Sequence, residues 1–154
     1  ELLLRLLTRH DPHPQLFSAY EQALKDMDAA EQPTLRIFEK RLLQELGYGL
    51  LLDHEAESGR PVTADALYEY RLESGPVACD MRRDKGLFLR GSSLLALHAG
   101  RLTDMVACQE AKHLMRAVLS LYLGARPLRT REVLRQMAIS RGGEKPPDLP
   151  SSIN

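Results

Sequence analysis

The spacing of apolar residues changes twice along this chain, and no other feature of the sequence restricts the fold as strongly. Toward both ends the apolar residues recur every three or four positions, which is typical of amphipathic helices. Between about residues 50 and 90 the spacing falls to two, and Tyr68, Tyr70 and Leu72 alternate with charged residues as in a strand. The pattern predicts a mainly α-helical domain that carries one small β-hairpin or irregular insert.

Glycine, proline and hydroxyl residues mark where the predicted helices begin and end. Pro33 fits the first turn of a helix that Gly47 ends. Ser92 or Ser93 can cap a short helix after the insert, and Thr103 can cap the next one. The sequence therefore predicts several separate helices and no extended heptad array.

The longest predicted helix runs roughly over residues 103–123. Its inward-facing side chains, predicted from their spacing, are Met105, Leu114, Val118 and either Leu121 or Tyr122. Gly, Pro, Ser and Lys dominate from residue 142 onward, and such a composition cannot fill a core. We therefore expect one domain over residues 1–141, with its β-rich insert at about 50–90, and a disordered tail over 142–154.

The charge of the chain is balanced in total but not along its length. With 21 basic and 21 acidic residues the net charge is zero, which by itself indicates no anionic partner. Residues 1–57 carry six basic and eleven acidic side chains, whereas residues 111–141 carry seven basic and one acidic. An anionic partner would prefer the second region. No apolar run approaches the roughly 20 residues that span a bilayer, so no membrane partner is expected.

The chain carries no motif of a known catalytic or phosphate-binding site, such as GxSxG, HExxH or a P-loop. His10 and His13, and separately Asp53-His54-Glu55, could bind a metal, but solvated polar loops explain both segments better. Cys79 and Cys108 are too few for a four-cysteine zinc site. We therefore predict a binding protein and not an enzyme, with no cofactor and no metal; any role of these histidines stays open.

Basic residues are concentrated after the predicted end of the longest helix. These arginines are Arg126, Arg129, Arg131 and Arg135. Contact with phosphate or with an acidic peptide is one interpretation of this segment, and an ordinary solvated face is the other. Tyr122 is the main aromatic residue nearby, so the sequence does not indicate a base-stacking platform.

A second candidate surface lies on the helix predicted over residues 34–46. There Arg36 adjoins Leu35 and Phe38. An apolar groove with a basic rim suits an acidic peptide that ends in a hydrophobic residue. An ordinary amphipathic core helix would show the same pattern, so both interpretations stay open at this point.

Two segments of the chain resemble the RecO family of DNA-repair proteins. The first begins at Leu35 as LRIFE and continues into Leu46-Gly47-Tyr48, which matches an R-x-F-E … L-G-Y signature. The second, residues 122–132, reads YLGARPLRTRE and is similar to the family's Y-L-G-x-K/R-P-L-K/R-S/T-R-E ending. Their order and separation agree with the family, as does the SGRPV loop at 58–62, so the resemblance covers roughly residues 1–140.

The resemblance implies the family's helical C-terminal domain, with the N-terminal OB-fold of the family absent from this sequence. It implies a non-enzymatic recombination mediator that binds the acidic C-terminal tail of the single-stranded-DNA-binding protein SSB. In the full-length protein it further implies RecR-dependent loading of RecA, strand annealing, and binding of single- and double-stranded DNA mainly through the missing OB-fold. A cytoplasmic, nucleoid-associated location goes with these roles.

Many members of the family hold a zinc ion with four cysteines in the insert, and this sequence departs from that pattern. Its loop reads Asp53-His54-Glu55-Ala56-Glu57, without a cysteine. We therefore expect apolar packing to hold the insert without metal.

The resemblance favours the peptide-binding interpretation over an ordinary amphipathic core helix. The predicted contacts to the SSB tail are Leu35, Arg36 and Phe38 on one helix and Arg116 on another. The alternative function is a stand-alone DNA-binding helical domain that uses the basic segment 126–135.

Overall fold

The computed structural model describes residues 14–26, 31–81 and 85–123. Within these residues two helices are followed by three strands and then by two more helices. The predicted fold class, mainly α-helical with one small β insert, is confirmed. The predicted tail and the arginines of segment 126–135 lie outside the described residues.

The first two helices, α1 (Pro14–Asp26) and α2 (Glu31–Glu45), pack against each other as a helical hairpin. Small side chains on α1 let α2 approach closely, and the shared apolar cluster is Leu16, Ala19, Ala23, Phe38 and Leu42. Gly47, with a φ of 82°, follows the end of α2 as predicted, because this left-handed conformation suits glycine. Pro33 lies in the first turn of α2, also as predicted.

The insert contains a three-stranded antiparallel sheet in the order β2-β1-β3. Its strands are β1 (Leu67–Arg71), β2 (Gly75–Cys79) and β3 (Phe88–Arg90). Tyr68 and Tyr70 face the core and are almost completely buried, as the alternation predicted, whereas Leu72 lies beyond the end of β1 and is 36% exposed. The sequence predicted the β1–β2 hairpin but not β3, because three residues are too few to show a period.

The main core lies between this sheet and the last two helices, α3 (Gly91–Ala99) and α4 (Met105–Leu123). Leu43 on α2 also belongs to this core, whereas its neighbour Leu42 belongs to the α1–α2 cluster. α2 is therefore buried on two sides, between α1 and the main core. This position accounts for the burial of polar residues on α2 described below.

The start of α3 is stabilised by a residue from another helix. Arg90 is the N-cap, and its backbone N–H donates to Oε2 of Glu110 on α4 at 2.9 Å. The prediction that Ser92 or Ser93 caps this helix is wrong, because the helix begins before both serines and a carboxylate from α4 lies at its N-terminus.

The start of α4 also differs from the prediction. Asp104 accepts a hydrogen bond from the backbone N–H of Ala107 at 2.9 Å, so Asp104 takes the capping role that the sequence assigned to Thr103. The inward positions of Leu114 and Val118 are confirmed, since both are buried. The inward position of Met105 is wrong: its side chain is 80% exposed, because it lies at the first residue of the helix.

The end of α3 is held by a long-range contact from α2. Gly100 follows the helix in the left-handed conformation, as predicted. Nζ of Lys40 donates to the backbone oxygens of Leu97 at 3.0 Å and His98 at 2.7 Å. Burial, together with the neighbouring charge of Arg41, lowers the pKa of Lys40. Lys40 thus supplies a charged donor to two carbonyl groups at the end of α3, of which that of Leu97 also accepts from the N–H of Gly100 at 3.2 Å.

We expect Lys40→Met to lower the free energy of unfolding by about 1–2 kcal/mol, because the two carbonyl groups at the end of α3 lose a charged donor while the apolar stem is kept. Urea unfolding followed by circular dichroism measures the change. Lys25→Met, at an exposed position on α1, is the matched control and should change stability by less than about 0.5 kcal/mol. Equal effects of the two substitutions would show that the Lys40 contact contributes nothing specific.

Candidate functional site

The polar loop that follows α2 contains Asp53 and His54, which belong to the segment that the sequence offered as a candidate metal site. Asp53 lies 3.2 Å from Nδ1 of His54 and 4.0 Å from Nε2 of His98, and all three side chains are well exposed. The hydrogen bond from His54 lowers the pKa of Asp53. Across residues 14–26, 31–81 and 85–123, no group of three His, Cys, Asp or Glu side chains could hold a metal ion. The geometry is that of a solvated polar loop.

The rest of this loop has a structural role. Glu55 contacts the hydroxyl of Ser58 and forms an ion pair with Arg60 at 3.2 Å. Below the loop, the Tyr68 hydroxyl accepts a hydrogen bond from the backbone N–H of Thr63 at 2.9 Å. Hydrogen bonds and the buried tyrosines hold the described part of the insert together. The absence of zinc in the protein stays a prediction.

The residues predicted on α2 as peptide contacts are placed less favourably than expected. Arg36 is only 4% exposed, and its Nη1 lies 2.9 Å from Oε2 of Glu39, which is equally buried. Leu35 is half-buried, and Phe38 packs in the α1–α2 cluster with its ring 5.9 Å from that of Tyr20. The direct contact of Arg36 with a peptide stays a prediction, but its guanidinium is already engaged inside the fold.

Phe38 also borders a small cavity between α1 and α2, with a volume of about 170 Å³. Arg41 lies at its edge and would attract a carboxylate, but Asp26 lies there too and would repel one. This cavity therefore suits an acidic peptide poorly, both in size and in charge.

A larger groove lies between the first turn of α2 and the first two turns of α4, with a volume of about 320 Å³. Its walls are largely apolar, and the residues that shape it are Pro33, Leu102, Met105, Cys108, Gln109 and Lys112. Among the described residues that line this groove, Lys112 carries the one charged side chain. The sequence predicted an apolar surface beside a cation on α2, and this groove has such an arrangement at the start of α4.

Arg116, the fourth predicted contact, extends the basic edge of this groove. It lies one helical turn beyond Lys112 on α4 and is exposed. Lys112 and Arg116 are thus on one face of α4, and the apolar floor of the groove lies on the N-terminal side of Lys112. The sequence did not reveal this groove, because its walls come from two stretches that lie far apart in the chain, residues 32–33 and 102–112. The spacing of Lys112 and Arg116 was the visible sign.

The groove contains a thiol in a protected environment. Sγ of Cys108 donates to the backbone oxygen of Leu102 at 3.5 Å. Burial, with a smaller contribution from Asp104, raises the pKa of this thiol, so it stays protonated at neutral pH. Cys108 therefore acts as a small apolar wall of the groove and not as a nucleophile.

A separate aromatic surface forms at the far end of α4. The ring of Tyr48 stacks on that of Tyr122, with centroids 4.2 Å apart and planes inclined by 29°. Tyr48, Leu51 and Leu121 are each more than one third exposed there. The sequence indicated only Tyr122 near the basic segment. Tyr48 is distant along the chain, and the fold brings its ring into contact with that of Tyr122.

Comparison with known proteins agrees with the two segments identified in the sequence. The family model described as "Recombination protein O C terminal" matches residues 1–132. Within the described part of the chain, no helix is long and apolar enough to cross a membrane. Tyr48 and Tyr122, one from each of the two segments, are brought into contact by the fold.

Several curated relatives carry the name DNA repair protein RecO. That of Nitrosospira multiformis is 44% identical over 139 residues, which cover 88% of this chain and 57% of the relative. That of Nitrosococcus oceani is 43% identical over 95% of this chain and 62% of its own length, and that of Alkalilimnicola ehrlichii is 49% identical over 90% and 56%. The chain thus spans less than two thirds of the length of these relatives. The family-model match and these identities show that it belongs to the RecO family.

Proposed function

We propose that this chain is the protein-binding domain of a recombination mediator in DNA repair, that it is not an enzyme, and that it binds the acidic C-terminal tail of SSB. The names of the relatives support the DNA-repair role. In the full-length protein the same domain would assist RecR-dependent loading of RecA and strand annealing. A cytoplasmic, nucleoid-associated location is part of this proposal.

The groove between α2 and α4 is the observation that carries the peptide-binding part of the proposal. The SSB tail is acidic and ends in an aromatic residue, as the family resemblance implies. A volume of about 320 Å³ accommodates one aromatic side chain against Leu102, Met105 and Cys108. Burial of such a side chain contributes roughly 1.5–3 kcal/mol.

The charges beside the groove fit the remainder of such a tail. Carboxylates upstream of the aromatic residue would reach Lys112 and then Arg116 along the exposed side of α4. Hydrogen bonds between charged groups contribute about 1.5–3 kcal/mol each before losses of side-chain freedom, and exposure reduces this value. The peptide would thus lie along α4, with its apolar end toward Met105.

The decisive experiment is calorimetric titration of the chain with an acidic peptide that ends in phenylalanine. We expect a dissociation constant of about 1–100 µM, because one apolar anchor and two exposed ion pairs must offset the ordering of a flexible peptide. The same peptide with alanine in place of the terminal phenylalanine should bind about tenfold more weakly. If no binding is detected at millimolar peptide, the proposed partner is wrong for this chain.

The second candidate function is DNA binding through Arg126, Arg129, Arg131 and Arg135. The stacked pair Tyr48–Tyr122 favours it, since Tyr48 is exposed, Tyr122 lies four residues before Arg126 in the sequence, and aromatic rings can stack on bases. Affinity for single-stranded DNA that falls steeply with salt, and also falls in Tyr48→Ala, would support this function. Absence of DNA binding at low salt would exclude it.

A further inference from the structure

The groove between α2 and α4 contains two sulfur atoms in opposite environments. Met105 is 80% exposed at the first position of α4, so its thioether is open to solvent. Cys108, one turn further along, is partly covered and donates its S–H to the backbone of Leu102. Its raised pKa keeps it as a thiol, which reacts slowly with oxidants. Because Met105 is exposed and Cys108 is partly covered, an oxidant in solvent reaches the thioether of Met105 more readily.

Oxidation would change the character of the groove at this position. The Met105 sulfur attacks one oxygen of a peroxide, the O–O bond breaks, and with hydrogen peroxide the second oxygen leaves as water. The sulfur loses two electrons to the peroxide and becomes a sulfoxide. An apolar, flexible side chain is thereby replaced by a polar and stereogenic one.

We infer that Met105 is an oxidation site that controls this groove: peroxide converts it to the sulfoxide, and the groove then binds an acidic, aromatic-ended peptide more weakly. The inference rests on the proposed function, because it concerns the same groove. The polar S=O group would lie beside the aromatic side chain of the peptide and would have to lose water on binding. A sulfoxide reductase would restore the original groove.

The other methionines of the chain provide the controls. Met115 is fully buried in the core, and Met81 is 70% exposed in the insert but does not line the groove. Met27 and Met137 lie outside the described residues. A reference chain with Met27→Leu, Met81→Leu and Met137→Leu retains one exposed methionine within the described part, Met105.

The experiment oxidises this reference chain with hydrogen peroxide and removes the peroxide with catalase. Mass spectrometry of a digest then confirms one added oxygen at Met105, and the acidic, phenylalanine-terminated peptide, free of Met and Cys, is titrated. We expect a loss of affinity of about threefold to tenfold relative to the untreated chain. Treatment with both methionine sulfoxide reductases should restore the affinity, and the thermal unfolding curve should not shift, since Met105 lies outside the core.

The same reference chain with Met105→Leu added shows whether the effect arises at this residue. Its affinity after peroxide should equal its own affinity before peroxide. The inference is overturned if the Met105 sulfoxide binds the peptide as tightly as the thioether, or if Met105 resists peroxide that oxidises Met81 in the unsubstituted chain. If the untreated chains bind no peptide at all, the proposed function has failed and the inference fails with it.

Discussion

Gly91→Ala is expected to lower the free energy of unfolding by about 3 kcal/mol or more and to leave much of the chain unfolded at moderate temperature. A Cβ atom added at this position would lie 1.8 Å from the backbone oxygen of Thr63 and 3.0 Å from Cε2 of Tyr68. Both neighbours belong to the packed insert, and a backbone carbonyl cannot rotate away as a flexible side chain can.

The surroundings of Gly91 allow no simple adjustment. Its N–H donates to the backbone oxygen of Ala66 at 2.9 Å, and the N–H of Ser92 donates to that of Ala64 at 3.0 Å. A shift large enough to admit a methyl group would break these bonds, which join the first turn of α3 to the insert. The helix start and the sheet would therefore be lost together.

Gly49→Ala is the matched control for this prediction. No atom lies within 4 Å of the position of its added Cβ, so we expect a change of less than about 1 kcal/mol. Thermal and urea unfolding, followed by circular dichroism, compare the two variants with the original chain. A folded Gly91→Ala protein with unchanged stability would show that α3 does not approach the insert as closely as described.

Gly91 also illustrates which part of the fold the sequence could predict. It lies where the sequence predicted the change from the insert to a helix, and the helix does begin at this residue. The sequence could not show that a backbone carbonyl from Thr63 would occupy the space of a side chain there. Periodicity predicts elements, whereas close approaches between elements depend on tertiary packing.

The same limit explains the errors at the helix ends. Local pattern favoured hydroxyl caps at Ser92, Ser93 and Thr103, but carboxylates of Glu110 and Asp104 bind the backbone N–H groups instead. Asp104 was open to prediction, since it is a preferred capping residue one position from the chosen threonine. Glu110 was not, because it comes from the other side of the α3–α4 contact.

The groove proposed as the peptide site has the kind of chemistry that the sequence suggested, but it lies mainly on α4 and not on α2. An apolar surface with cations was expected on α2, where Arg36 stands beside apolar residues. A single helix pattern cannot show that α2 is covered on two sides, nor that Glu39 pairs with this arginine inside the fold. Arg116 was predicted on α4, the helix that lines the proposed groove, and Lys112 lies one turn before it.

Reversal of these two charges is expected to have the largest effect on peptide binding. The double variant Lys112→Glu and Arg116→Glu should bind the acidic, phenylalanine-terminated peptide with an affinity lower by about thirtyfold or more. Two attractions are lost and two repulsions are added. Lys112 is half-buried and Arg116 exposed, so neither side chain supports the core and the variant should fold normally. Higher salt should weaken binding to the original chain and improve binding to the variant.

Lys25→Glu, at an exposed position on α1 that does not line the groove, is the control for a general change in net charge. It should lower the affinity by less than about twofold at physiological salt, because salt screens an exposed charge that makes no direct contact with the peptide. Fluorescence anisotropy of a labelled peptide at two salt concentrations separates the two variants. If Lys25→Glu weakens binding as much as the double variant, the attraction is non-specific and the groove on α4 is not its source.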